Sequence, residues 1–189
     1  MNDLVLDTTQ PQEWRFWCTD DNKKAVSYED RVHSVDSFKT IEDFWAVYSH
    51  MKRLDDIPTG YDYHLFLEGV KPMWEDPLNR SGGKWMIRLK KGVIQILWER
   101  LIIGIIRGAF SDDTLAGDQI TGCVASVRNG EDVISIWNAD CHNEASRNAI
   151  RDRLMEVLKI PKDTILEYRQ HDASLAHSHH VFKSIYQDS

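Results

Sequence analysis

His64–Gly92, HLFLEGVKPMWEDPLNRSGGKWMIRLKKG, joins two strand-like runs through a loop that no regular element can occupy. Tyr63–Glu68 reads as one strand. Lys84–Lys90 reads as the other, since Trp85, Ile87 and Leu89 alternate with Met86, Arg88 and Lys90. Between them, Trp74, Glu75 and Asp76 stand between Pro72 and Pro77. Proline lacks an amide donor and restricts the residue before it, so the triplet belongs to a loop. A loop is an unusual place to keep a large aromatic side chain unless something lies against it.

Upstream, Glu13–Cys18 (EWRFWC) reads as a strand with Trp14 and Phe16 on one face, and Arg31–Phe38 as the next. Thr40 with Asp43 resembles a capping box and starts a helix. Its apolar positions, Ile41, Phe44, Trp45, Val47, Tyr48 and Met51, cover an arc of roughly 160° at ~100° per residue. The centre of that arc faces the core. Trp45, on the rim beside Ile41, fits either a core position or an exposed docking surface. Ile57–Tyr61 is a turn.

Downstream, Val93–Phe110 predicts an apolar helix with Arg100 and Arg107 facing water on its far side. Ile120–Arg128 and Asp132–Trp137 are strands about an Asn129-Gly130 turn. Asn143 caps a third helix that runs to Lys159 and is closed by Pro161; Thr164–Tyr168 is the last strand. The expected organisation is a disordered arm over 1–11, one domain over 12–176 and a mobile tail over 177–189, with the polar stretch from His171 onwards already expected to be mobile. Strands with three interspersed helices indicate an α+β fold, most simply a largely antiparallel sheet with its helices on one face.

A chain of 189 residues with 42% hydrophobic content supports one substantial core. No apolar run spans a bilayer and the opening residues lack the blocks of a signal peptide, so a cytoplasmic protein is expected. Cys18, Cys123 and Cys141 show no zinc spacing and read as reduced thiols. A net charge of -7 argues against a protein that tracks a long phosphate backbone. Any nucleic-acid ligand is therefore a short terminal piece held in a pocket.

Tyr28, Trp74, Glu75 and Arg128 suit such a piece. Two aromatics on separate loops can close on both faces of a base, each stack contributing ~1–3 kcal/mol. A carboxylate beside one of them accepts two N–H donors from a guanine edge, and a guanine methylated at N7 strengthens both the stack and those bonds. Arg128 is placed to hold attached phosphates. Each residue alone also has an ordinary reading, as packing or surface charge.

Together with FKTIEDFWAVYSHM, ITGCVASVRNGEDVISIWN and HDASL, the opening stretch resembles the eukaryotic translation initiation factor 4E family, from about Trp14 to Leu175. The resemblance implies a curved antiparallel sheet with three helices on its convex face and a pocket for the 7-methylguanosine messenger RNA cap on the concave side. It implies that Trp74 stacks on the cap, Glu75 reads the guanine edge, Trp137 meets the N7-methyl group, and Arg128 and Lys84 bind phosphates. It places Ile41 and Trp45 in a dorsal patch for partners with a Tyr-x4-Leu-apolar motif, which tips the reading of Trp45 towards docking.

Tyr28 stands at the first stacking position, where the main class has tryptophan. With SVR at 126–128 and EDVISIWN at 131–138, it resembles the second class, the 4E homologous or novel cap-binding proteins. Trp14 departs from that class. Val133 replaces a phosphate-binding lysine of the main class, and the smaller stack of tyrosine further implies weaker cap binding. Arg100 and Arg107 replace an acid or Asn and a Gly on the partner-binding face. The expectation is a monomeric, non-enzymatic cap-binding regulator of translation with no cofactor and no metal. The competing readings are an interaction module without cap binding, and a hydrolase using Glu75-Asp76 and Asp112-Asp113. His177-Ser178-His179-His180 reads as tail rather than as a metal site.

Overall fold

A computed structural model describes residues 12–20, 27–111, 119–161 and 163–171. The arm over 1–11, Asp112-Asp113, Lys183 and the histidine cluster at 177–180 lie outside the described residues. Seven strands form one sheet in the order β2-β1-β3-β5-β6-β4-β7, with every ladder antiparallel. They are β1 (Trp14–Thr19), β2 (Val32–Phe38), β3 (Asp62–Leu67), β4 (Gly83–Leu89), β5 (Ile120–Ser126), β6 (Asp132–Asn138) and β7 (Glu167–Gln170). The helices are α1 (Ile41–Tyr48), α2 (Ile94–Ile106) and α3 (Glu144–Leu158).

Sheet alternation separates two environments. Tyr63, Leu65 and Leu67 of β3, Ile87 and Leu89 of β4, and Ile134 and Ile136 of β6 enter the core with the helices. Trp85 lies on that side too, its Nε1 donating to the Arg147 carbonyl of α3 at 2.8 Å. The intervening residues Asp62, His64, Lys84, Met86, Ser135 and Trp137 point the other way. The helical stripes match the same core. Leu97, Trp98, Leu101, Ile102 and Ile105 of α2 are buried, each stabilising by about 1.5–3 kcal/mol. Ile150, Leu154 and Leu158 of α3 repeat every four residues and are fully buried.

Caps set two of the helix starts. Thr40 Oγ1 accepts the Asp43 amide at 3.1 Å, and Asn143 Oδ1 accepts the Ser146 amide at 3.0 Å. In α1 only Phe44 is fully buried, while Ile41 and Trp45 are 53% and 49% exposed.

Three expectations need correction. Arg100 does not face water: it is half-buried and its Nη1 donates to the Leu158 carbonyl at 2.8 Å, satisfying an orphan acceptor at the end of α3. The last strand is Glu167–Gln170 rather than Thr164–Tyr168, because pairing with β4 puts Tyr168 opposite Trp85 and Gln170 opposite Gly83. His171 is no mobile tail residue, being only 3% exposed with its amide bonded to the Gly82 carbonyl at 3.1 Å.

Gly122 allows close packing between β3 and β5. A Cβ there would overlap the Phe66 ring, which lies across the glycine from β3. Gly122→Ala is expected to destabilise the fold by about 1–3 kcal/mol, read as a lower midpoint in chemical denaturation. An unchanged midpoint would show that Phe66 has room to move.

Candidate functional site

A cleft of about 550 Å³ opens on the sheet face away from the helices. Tyr28, Trp74, Glu75, Lys84, Arg128 and Trp137 all line it. The sequence spreads these six over more than a hundred positions; the sheet and two loops bring them together.

The loop carrying Trp74 and Glu75 is held by its neighbours. Asp76 accepts the Lys71 amide at 2.9 Å with Oδ2 and the Leu78 amide at 3.0 Å with Oδ1. Asn79, fully buried, donates from Nδ2 to the Lys71 and Met73 carbonyls at 3.0 and 2.9 Å. The two acids side by side thus differ in kind. Asp76 is engaged with backbone, whereas Glu75 is exposed and has no hydrogen bond or ion pair among the described residues.

The opposite loop is tied to this one. Ser27 and Asp30 bond to each other reciprocally at 3.0 and 3.2 Å, which fixes the turn around Tyr28. The Tyr28 hydroxyl donates to the Pro72 carbonyl at 3.4 Å, and Lys71 Nζ meets Glu29 at 2.7 Å. Tyr28 is 44% exposed. An aromatic face therefore stands on each loop of the cleft.

Trp137 forms the inner end. Phe66 meets it edge-on at 5.3 Å between centroids, His171 lies at 4.3 Å, and Lys84 Nζ sits 5.0 Å from the indole centroid. Lys84 is its register partner across β4 and β6. Burial, followed by Arg169, lowers the Lys84 pKa. At the outer end Arg128 Nη2 reaches Asp62 Oδ1 at 2.8 Å, and its backbone amide donates to Asp132 Oδ1 at 3.0 Å.

Sequence reasoning missed Asp62, His64, Asn79 and His171. The first two carried a signal, since they alternate along β3 on the face that Lys84 and Met86 occupy along β4. His64 is buried, with Nε2 2.6 Å from Thr19 Oγ1. Ile41, Trp45, Arg100 and Arg107 lie outside this cleft, the first two on α1, Arg100 on α2 and Arg107 at its C-terminal cap. Tyr48 donates to Glu99 at 3.3 Å and joins those two helices. Among the described residues, no group of three or more His, Cys, Asp and Glu side chains is placed to hold a metal ion.

The model of the family described as eukaryotic initiation factor 4E matches residues 10–185. The chain belongs to the eukaryotic initiation factor 4E family. Eukaryotic translation initiation factor 4E-4 of Caenorhabditis elegans is 45% identical over 148 residues, 78% of this chain and 68% of that protein. Initiation factor NCBP of Oryza sativa subsp. japonica is 41% identical over 152 residues, 80% of this chain and 65% of that protein. The chain thus spans about two thirds of the length of these relatives. A solved complex of C. elegans eIF4E-3 with the 4E-binding protein Mextli and cap analog superposes with a TM-score of 0.83 at 34% identity. The match covers 88% of this chain and 95% of that one. The curved seven-stranded antiparallel sheet with three helices is the architecture of this family.

Two histidines beside the 4E-family cleft make stability depend on pH. Burial lowers the pKa of His64 and of His171 from 6.5 to about 4, with Lys84 adding to the shift at His171. The unfolded chain therefore binds more protons than the folded one between those values, and stability falls as pH drops through the window. Stabilities measured from about pH 7 to about pH 4 should show a loss of about 3 kcal/mol per histidine. His64→Gln should flatten that slope. A variant slope equal to that of the wild type would mean that His64 is already protonated in the folded state.

Proposed function

We propose that this chain binds the 7-methylguanosine cap of messenger RNA and regulates translation through proteins docked on α1 and α2. The observation that carries the reading is the convergence of Tyr28 and Trp74, from two loops tied at Pro72, with Glu75 beside them. A methylated guanine enters between the two rings and presents its N1–H and N2–H donors to Glu75, whose carboxylate is not engaged elsewhere among the described residues. The positive charge of the base strengthens both stacks by ~0.5–2 kcal/mol per face. Trp137 meets the methyl edge, and Phe66 and His171 behind it keep the indole from turning away.

Arg128 and Lys84 receive the phosphates. Arg128 starts from an ion pair with Asp62 and so exchanges one anion for another, while Val133 offers no further cation in the cleft. Phosphate binding is accordingly weak and stacking carries the affinity.

The reading is of a binding protein without a catalytic step, acting in the cytoplasm. Asp76 is engaged with loop amides and Asp62, the other carboxylate of the cleft, with Arg128, so neither joins Glu75 in the carboxylate pair that metal-assisted hydrolysis requires. Among the described residues no helix is long and apolar enough to cross a membrane. Ile41 and Trp45, half-exposed on α1, take the apolar residues of a Tyr-x4-Leu-apolar helix. The solved C. elegans relative, held with both a cap analog and a 4E-binding protein, supports both halves of the proposal.

Tryptophan fluorescence tests the cap pocket. Saturable quenching by 7-methyl-GTP, with much weaker binding of GTP, is the expected result. Glu75→Ala should weaken the methylated ligand at least tenfold, since each charge-assisted bond is worth ~1.5–3 kcal/mol. Val133→Lys should tighten the triphosphate and leave the 7-methylguanosine nucleoside unchanged. Equal affinity for the two nucleotides would sink the cap reading and leave an interaction module. Trp45→Ala should abolish binding of a Tyr-x4-Leu-apolar peptide while the cap titration stays as it was.

A further inference from the structure

Among the described residues, nothing packs over one face of α2. Ile96, Arg100, Ile103 and Arg107 recur along it at helical spacing, and Ile96 is 51% exposed. This face is one wall of a second cleft, of about 620 Å³, whose other wall is the end of α3 at Glu156, Val157 and Lys159. Gly104 lets the two helices approach, since a Cβ there would meet Val157 Cγ1 at 2.6 Å. Ile96, Ile103 and Val157 make an apolar floor under a charged rim.

The rim charges differ in whether they are already engaged. Glu156 is held by Arg153 at 3.0 Å. Glu99 accepts from Gln95 at 2.6 Å and from Tyr48 at 3.3 Å. Arg100 caps α3 through the Leu158 carbonyl. Arg107 and Lys159 are exposed and have no ion-pair partner among the described residues. Two uncompensated cations therefore flank an apolar cleft on a chain of net charge -7. The cleft also continues the α1 surface, because Glu99 lines it and bonds to Tyr48, one turn beyond Trp45.

We propose that this cleft receives an acidic, apolar-bearing segment of the protein docked at Trp45, with Arg107 and Lys159 selecting it by charge. The inference rests on the dorsal-docking reading above and names the chemistry of that partner. A peptide fits both parts of the cleft, placing an aliphatic or aromatic side chain on the floor and carboxylates on the rim. A nucleic-acid strand would lay phosphates over Ile96, Ile103 and Val157, which offer them nothing. Charge pairs this exposed are individually weak and screened by salt, so they discriminate among partners while the apolar contacts anchor them.

Anisotropy titrations of the full chain with three labelled peptides test the proposal. Each peptide carries one Tyr-x4-Leu-apolar helix, followed by an acidic, a neutral or a lysine-rich extension. At low salt the acidic extension should bind about three- to tenfold tighter than the neutral one, and the basic extension more weakly. The gain should vanish in Arg107→Glu. It should shrink in Lys159→Asn, a substitution that suits the left-handed backbone of Lys159 (φ 55°). Equal affinity for all three peptides, with all lost on Trp45→Ala, overturns the acidic-segment proposal and leaves dorsal docking standing. Binding of none, or binding indifferent to Trp45→Ala, overturns both. An uncapped RNA oligonucleotide that displaces the acidic peptide from wild type, and fails to bind Arg107→Glu, assigns these cations to nucleic acid and also overturns it.

Discussion

The pleat of four adjacent strands, β3, β5, β6 and β4, is the constraint on which both sides of the molecule depend. Successive side chains must leave an antiparallel strand on opposite faces, so a residue cannot change side without shifting the whole register. Leu65, Cys123 and Ile136 lie in register across three strands and feed the core. Their neighbours His64, Val124 and Ser135 lie in register on the cleft side. The core therefore fixes the cleft: burying the apolar set against α2 and α3 leaves the alternate set facing outward, in fixed relative positions.

The sheet supplies the floor, and backbone-directed hydrogen bonds supply the walls. A loop with Trp74 at its tip would sample many conformations if solvent alone satisfied its amides. Asp76 and Asn79 prevent this by bonding to backbone groups at both ends of the loop. The Tyr28 loop then leans on the first through the Pro72 carbonyl. Two aromatic faces are thus presented by elements that order each other, which lowers the entropy lost when a planar ligand enters between them.

Charge is distributed by the same logic. Two cations near the cleft are matched before any ligand arrives, Arg128 by Asp62 and Lys91 by the buried Asp132. On the helical side, among the described residues, the acids at the α2–α3 cleft are engaged and two of its cations have no ion-pair partner. An acidic chain can present local basic surface in this way, because engaged acids contribute little to the field outside. Net charge constrains how long a phosphate backbone the chain can track. It does not decide the sign of each cleft.

The sequence by itself determined the element order and the loop. Period-two and period-3.6 patterns, the Pro72 and Pro77 brackets, the Asn129-Gly130 turn and the Thr40 and Asn143 caps are local facts, each governed by a few neighbouring residues. Four motifs in order carried the resemblance to the 4E family, and with it the set of cleft residues. Tertiary structure alone decided the rest, because strand order and register join residues far apart in the chain. It moved the last strand to Glu167–Gln170, where pairing with β4 is available, and it placed His171 against Trp137. It turned Arg100 from water towards an orphan carbonyl of α3, which no α2 periodicity could reveal. It also separated Glu75 from Asp76: adjacent in sequence and alike in charge, they differ only in which backbone amides the folded loop brings within reach.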